Sequence, residues 1–167
     1  MTIWTVGHSR HELPALLAVL RGPGIELVAD IRSQPFSRYN PQFNRERFGA
    51  ALTEAGLGYL FLGAELGGRP PEPEFYDGDG HVRYGALAGT ERFTEGLRRL
   101  LAESDRQRVA MLCSEEDPRI CHRRLLVGRV LTTRGIPVRH IRGDGSVVRE
   151  EDLGPLPQPM SQGTLFG

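Results

Sequence analysis

Five short apolar runs, Ile3 to Val6, Glu26 to Ile31, Tyr59 to Leu62, Arg108 to Cys113 and Val138 to Ile141, have strand length and are bounded by turn-forming residues. The segments between them carry helix signals. Ser9 and Glu12 have capping-box spacing, but Pro14 is tolerated only in a first helical turn, so a helix is expected from Glu12 to Arg21. A second is expected from Arg45 to Ala55, stopped by Gly56. Thr90 can cap a third that carries Phe93, Leu97 and Leu100 on one face. Asp117 as cap, Pro118 in the first turn, Gly135 at the end and Pro137 beyond it delimit a fourth.

Strands alternating with helices predict an α/β fold in three layers, with a mainly parallel sheet of about five strands and helices on both faces. One domain is expected over residues 1–153, followed by a flexible tail, 154–167, interrupted by Pro155, Pro157 and Pro159. Residues 69–89 are rich in Pro, Gly and Asp and long for a connection, which predicts a lid or an irregular insertion.

Ligands of such sheets bind beyond the carboxyl ends of the strands. The loops expected there hold His8 and Ser9, Asp30 and Arg32, Glu65 and Arg69, then Cys113, Ser114 and Glu115. Leu126 and Val127 should face the core, which puts His122 and Arg123 one turn earlier, at the same rim. In this reading His8, Glu115, His122 and Cys113 are the catalytic candidates. Ser9, Asp30, Arg32, Arg69 and Arg123 would hold a phosphate or substrate. Each also has a plain structural role open to it, such as an ion pair or a helix cap.

Composition narrows the choice. Hydrophobic residues at 39% and charged residues at 25% are a globular balance. The 21 cations equal the 21 acids, so no net field recommends nucleic acid or a membrane, and any basic surface must be local. Every one of those cations is Arg. A Schiff-base or Walker-type lysine is therefore excluded. No signal peptide or membrane span is visible, and two cysteines do not form a disulfide framework, so a cytoplasmic setting is expected.

Cys113 and Arg119 have the Cys, five residues, Arg spacing of phosphatase and rhodanese-like anion loops. The intervening Ser-Glu-Glu-Asp-Pro would repel an anion, and Pro118 removes an amide. A metal set of Cys113, Cys121, His122 and His8 matches no usual zinc spacing, and Cys121 and His122, adjacent on a helix, should diverge. No metal and no cofactor are expected.

Thr5 to Ser9, Asp30 to Ser33 with Pro35 and Ser37, Leu62 to Arg69, and Leu112 to Arg123 together resemble the family catalogued as domain of unknown function 488. The resemblance spans nearly the whole chain. It implies a compact α/β domain with no assigned activity, and its motifs coincide with the strand-end loops.

The tail ends Gln162-Gly-Thr-Leu-Phe-Gly, which resembles the bacterial sliding-clamp-binding pentapeptide. Gln162 would supply amide hydrogen bonds, and Leu165 and Phe166 would fill an apolar pocket. Gly163 departs from the usual Leu, and the apolar pair could instead fold back on its own domain. Together with the Arg-and-aromatic stretch Arg38 to Phe48, the tail points to a protein acting on or with DNA or nucleotides, in repair or processing. A thiol enzyme using Cys113 and a non-catalytic ligand-binding module remain the alternatives.

Overall fold

In the computed structural model, which describes residues 1–157, the elements alternate as expected. The tail candidates Gln162, Leu165 and Phe166 lie outside the described residues. Strands β1 (Ile3–Gly7), β2 (Leu27–Asp30), β3 (Gly58–Phe61), β4 (Val109–Cys113), β5 (Val138–Ile141) and β6 (Val147–Arg149) form one sheet, ordered β3-β2-β4-β1-β5-β6. The first five pair in parallel and β6 runs antiparallel to β5. β6 was not anticipated. Its three residues, Val147, Val148 and Arg149, carry no period of their own, and pairing with β5 is what makes them a strand.

The sheet is buried on both sides. Along β4, Val109, Met111 and Cys113 face one core, and Ala110 and Leu112 face the other. That alternation explains why the strand reads as an unbroken apolar run. Helices α1 (Leu13–Arg21) and α2 (Arg45–Glu54) cover the second face through Leu16, Leu20, Phe48 and Leu52, all fully buried. Full burial of each such side chain is worth about 1.5–3 kcal/mol. The first face is covered by short α3 (Gly63–Leu66), α4 (Tyr84–Ala88), α5 (Glu91–Ser104) and α6 (Arg129–Thr133). Thr90 caps α5 by accepting from the Phe93 amide at 3.2 Å, as its position predicts.

The chain thus leaves β1 and β2 toward one face and β4, which lies between them, toward the other. This is the switch in winding that opens a crevice at the strand ends.

Two expectations fail locally. Ser9 and Glu12 make no capping box; Glu12 is the N-cap of α1 and its side chain caps nothing. The single helix expected from Asp117 to Gly135 is three pieces: a 3-10 turn at Pro118–Ile120, a π-helical segment at Arg123–Gly128, and α6. Between the first two, Cys121 is extended, with φ −117° and ψ 143°. Residues 69–89 are ordered by a 3-10 turn at Pro73–Phe75, a Tyr76–Val82 bridge and α4. Among the described residues, no helix is long and apolar enough to cross a membrane.

Candidate functional site

The exit loops of β2 and β4 enclose a cavity of about 410 Å³. Of the sequence candidates, Arg32, Arg69, Cys113, Glu115 and His122 line it; His8, Ser9, Asp30 and Arg123 do not. Ser33, Gln34, Ser114, Ile120 and Tyr84, the first residue of α4, complete most of the wall. Tyr84 was not among the sequence candidates. Its place is set by the fold of residues 69–89, although an aromatic in a loop rich in turn formers was a hint.

The candidates behind the wall are occupied in building it. Asp30 is fully buried and takes a bidentate bond from Arg32 at 2.9 and 2.8 Å and a third from the Tyr59 hydroxyl at 2.6 Å. Arg32 also donates to the Phe43 carbonyl at 2.7 Å. This guanidinium is therefore a wall strut rather than a free phosphate clamp.

His8 donates Nδ1–H to the Ser9 carbonyl at 2.8 Å and accepts from Arg32 Nη1 at its Nε2, 3.3 Å away. Burial pushes its pKa down to about 4, so it stands neutral. Ser9 adopts φ +47°, the left-handed region, pinned by a 2.9 Å bond from its amide to the Ser114 carbonyl.

Arg123 is completely buried. It donates to Thr5 Oγ1 at 3.1 Å, Cys113 Sγ at 3.1 Å, the Glu115 carbonyl at 2.5 Å and the Glu116 carbonyl at 2.8 Å. Burial lowers its pKa to about 10, which still leaves it charged at neutral pH. Its bonds run to Thr5 on β1, to Cys113 at the end of β4 and to two carbonyls of the following loop, so Arg123 ties that loop to the sheet and does not line the cavity. From Arg123 a directed chain runs inward. Thr5 donates to His140 Nδ1 at 2.7 Å, His140 Nε2–H donates to Glu150 at 2.7 Å, and Arg124 meets the other oxygen of Glu150 at 2.8 Å.

The three acids after Ser114 have separate fates. Bonds from Arg142 hold Glu116 down to about 2, and bonds from Arg119 do the same for Asp117. Arg119 is thereby spent on an exposed ion pair, 59% accessible, and the Cys-to-Arg anion loop does not form. Only Glu115 presents its carboxylate to the cavity, 3.2 Å from Cys113 Sγ.

Cys113 and Cys121 are joined by a disulfide at the floor, a pairing not expected from the sequence. His122 joins them, with the three ligand atoms all within 4.8 Å of one another. The expected divergence of Cys121 and His122 fails because Cys121 is extended rather than helical. His122 packs against Gly68, where a Cβ would lie 2.7 Å from the imidazole-bearing Cβ. Arg69 is exposed at the mouth and makes no ion pair among the described residues.

The burial of His8 carries a pH consequence. Its folded pKa lies below its unfolded value of 6.5, so between pH 6.5 and 4 the unfolded chain binds the proton and the folded chain does not. Stability is full above pH 6.5 and falls as pH drops toward 4, by up to about 3 kcal/mol from this group. His8→Asn keeps a donor for the Ser9 carbonyl and should flatten urea-unfolding stability across that window. A slope unchanged from the parent's would assign the acid sensitivity to His122 and His140, which burial also lowers.

A family model described as a domain of unknown function, DUF488, matches residues 12–130. No curated protein and no solved structure matches the chain. The matched stretch covers most of the chain and includes every cavity-lining residue named above. The chain belongs to the DUF488 family, a domain of unknown function.

Proposed function

We propose that this protein binds single-stranded nucleic acid across the mouth of the strand-end cavity and presents one nucleotide to the polar wall within. The observation that carries this reading is the rim formed by residues 33–48. Phe36 and Tyr39 are 71% and 85% exposed, beside exposed Arg38, Arg45 and Arg47 and a single acid, Glu46. Large aromatics left in water are a functional signal on a domain with two well-filled cores. Aromatics interleaved with arginines suit a strand whose bases stack and whose phosphates seek cations.

The reading is narrower than the sequence pattern implied, because Phe43 and Phe48 are fully buried in the α2 core and offer nothing to a ligand. Gln34 lies on both the cavity wall and the rim groove, so the two surfaces are continuous. Arg69 would receive a phosphate at the mouth, and Glu115 is the carboxylate in place for proton transfer. The tail motif ending in Leu165 and Phe166 adds a route of delivery to DNA through a sliding clamp.

Fluorescence anisotropy with a labelled single-stranded oligonucleotide tests this, beside the double substitution Phe36→Ala and Tyr39→Ala. Stacking is worth about 1–3 kcal/mol per base, so affinity should fall at least about tenfold in the variant. Binding should also weaken steeply with salt. No binding by the parent, or equal binding by the variant, would sink the reading.

A further inference from the structure

We propose that, once a thiol reductant has opened the Cys113–Cys121 bridge, Cys113, Cys121 and His122 form a metal site that takes Zn²⁺ through two thiolates and an imidazole nitrogen, with its fourth position open to the cavity. Three donors of the right chemistry converge there from two separate elements. Cys113 ends the central strand β4, and Cys121 and His122 follow the 3-10 turn. A strand of the buried sheet is a rigid base for a ligand.

The orientation of His122 fits a ligand. Its Nε2 lies 2.9 Å from the Ile31 carbonyl, which accepts the ring N–H and leaves the Nδ1 lone pair free. Metal-binding histidines are held this way, by donating the other nitrogen to a carbonyl or carboxylate. That Nδ1 is 3.9 Å from Cys121 Sγ. Two ligands at about 2.0–2.3 Å from a tetrahedral zinc stand at about that separation.

The surroundings of the sulfurs fit thiolates. Arg123 Nη1 lies 3.1 Å from Cys113 Sγ, and the Arg123 amide lies 3.4 Å from Cys121 Sγ. A fixed buried cation and an amide donor both favour the negative form. The backbone spacing agrees as well. The two Cα atoms are 7.7 Å apart, whereas a direct bridge usually spans about 4.4–6.8 Å. With the bridge opened, that wider backbone spacing leaves room for an ion about 2.3 Å from each sulfur. Two thiolates and one imidazole with an open position are the donor set of a catalytic rather than a structural zinc site. Glu115 stands beside that position, on the cavity wall.

The test uses the full chain purified under reducing conditions and Co²⁺ as the probe. Uptake of one Co²⁺ per chain should produce thiolate-to-cobalt charge transfer in the near ultraviolet and intense tetrahedral d–d bands. Added Zn²⁺ should displace it. Cys121→Ser should lose the charge-transfer intensity assigned to one thiolate, and His122→Ala should weaken cobalt affinity by about tenfold or more, with circular dichroism confirming that both remain folded.

The proposal is overturned if the reduced parent takes up no cobalt, or if its spectrum lacks thiolate charge transfer. Oligonucleotide anisotropy reports the rim and cobalt spectra report the floor, so this proposal and the nucleic-acid reading fail separately.

Discussion

Replacing Arg123 with Leu is expected to lower the folding stability by about 3–5 kcal/mol, the range for removing one member of a buried charged network. Exchanging a buried ion pair for apolar residues can be harmless when both partners are exchanged. Here that escape is closed, because two of the acceptors are the backbone carbonyls of Glu115 and Glu116, which no substitution removes. Left without a donor in this part-buried loop, each costs up to about 1–3 kcal/mol. Thr5 Oγ1 also loses its donor, which loosens the chain to His140 and Glu150. Urea unfolding should show the midpoint fall with little change in slope. A loss below about 1 kcal/mol would mean that the loop after β4 holds its shape without the guanidinium.

An effect of similar size is expected from Gly7→Ala, the smallest side chain that can be added. A Cβ at this last residue of β1 would lie 1.7 Å from the Glu115 carbonyl oxygen and 3.0 Å from the Glu116 Cα. Both obstacles are backbone, so no rotamer relieves them. The same two loops are stitched together just beyond, by the His8 amide on the Cys113 carbonyl and the Ser9 amide on the Ser114 carbonyl, each at 2.9 Å. Alanine must push them apart and break those bonds. A loss of at least about 3 kcal/mol follows, at the upper end for overpacking, and soluble yield should drop with it. A thermal midpoint within a few degrees of the parent's would show that the loops separate freely, as a shift of that size is about 1 kcal/mol in a domain this long.

Both predictions concern contacts that the sequence hides. The parallel strands, α1, α2 and α5 were legible because their signals are local: apolar runs of strand length, the Thr90 cap, Gly56 and Gly135 as stops. The cavity's position was legible from the strand-end rule. The roles of its residues were not. Asp30 and Arg32 look like ligand groups in the sequence, and they are partners of each other. Phe43 and Phe48 look like part of an exposed basic-aromatic stretch. The irregular segment in fact folds back over α1 and β2, and Phe43 stacks 4.6 Å from the His8 ring. The convergence of Cys121 and His122 was missed because capping signals mark the ends of a helical stretch and are silent about a break inside it. Cys113, eight residues earlier, and Gly68, far away in the chain, pack against that break. Periodicity records which face a side chain takes; it does not record who has claimed its hydrogen bonds.

The chain from Arg123 through Thr5 and His140 to Glu150 bears on the order in which the protein is made. β1 is synthesised first, yet its neighbours are β4 and β5, and Thr5 waits for His140, 135 residues later. Glu150 then fixes both His140 and Arg124. A nascent chain can form α1 and pair β2 with β3 as these emerge, but the gap between β2 and β1 is filled only when β4 emerges, and the far edge of β1 stays open until residues 138–150 have cleared the ribosome. Through most of translation the apolar edges of β1 and β2 are unpaired, the condition in which nascent chains most need protection from one another.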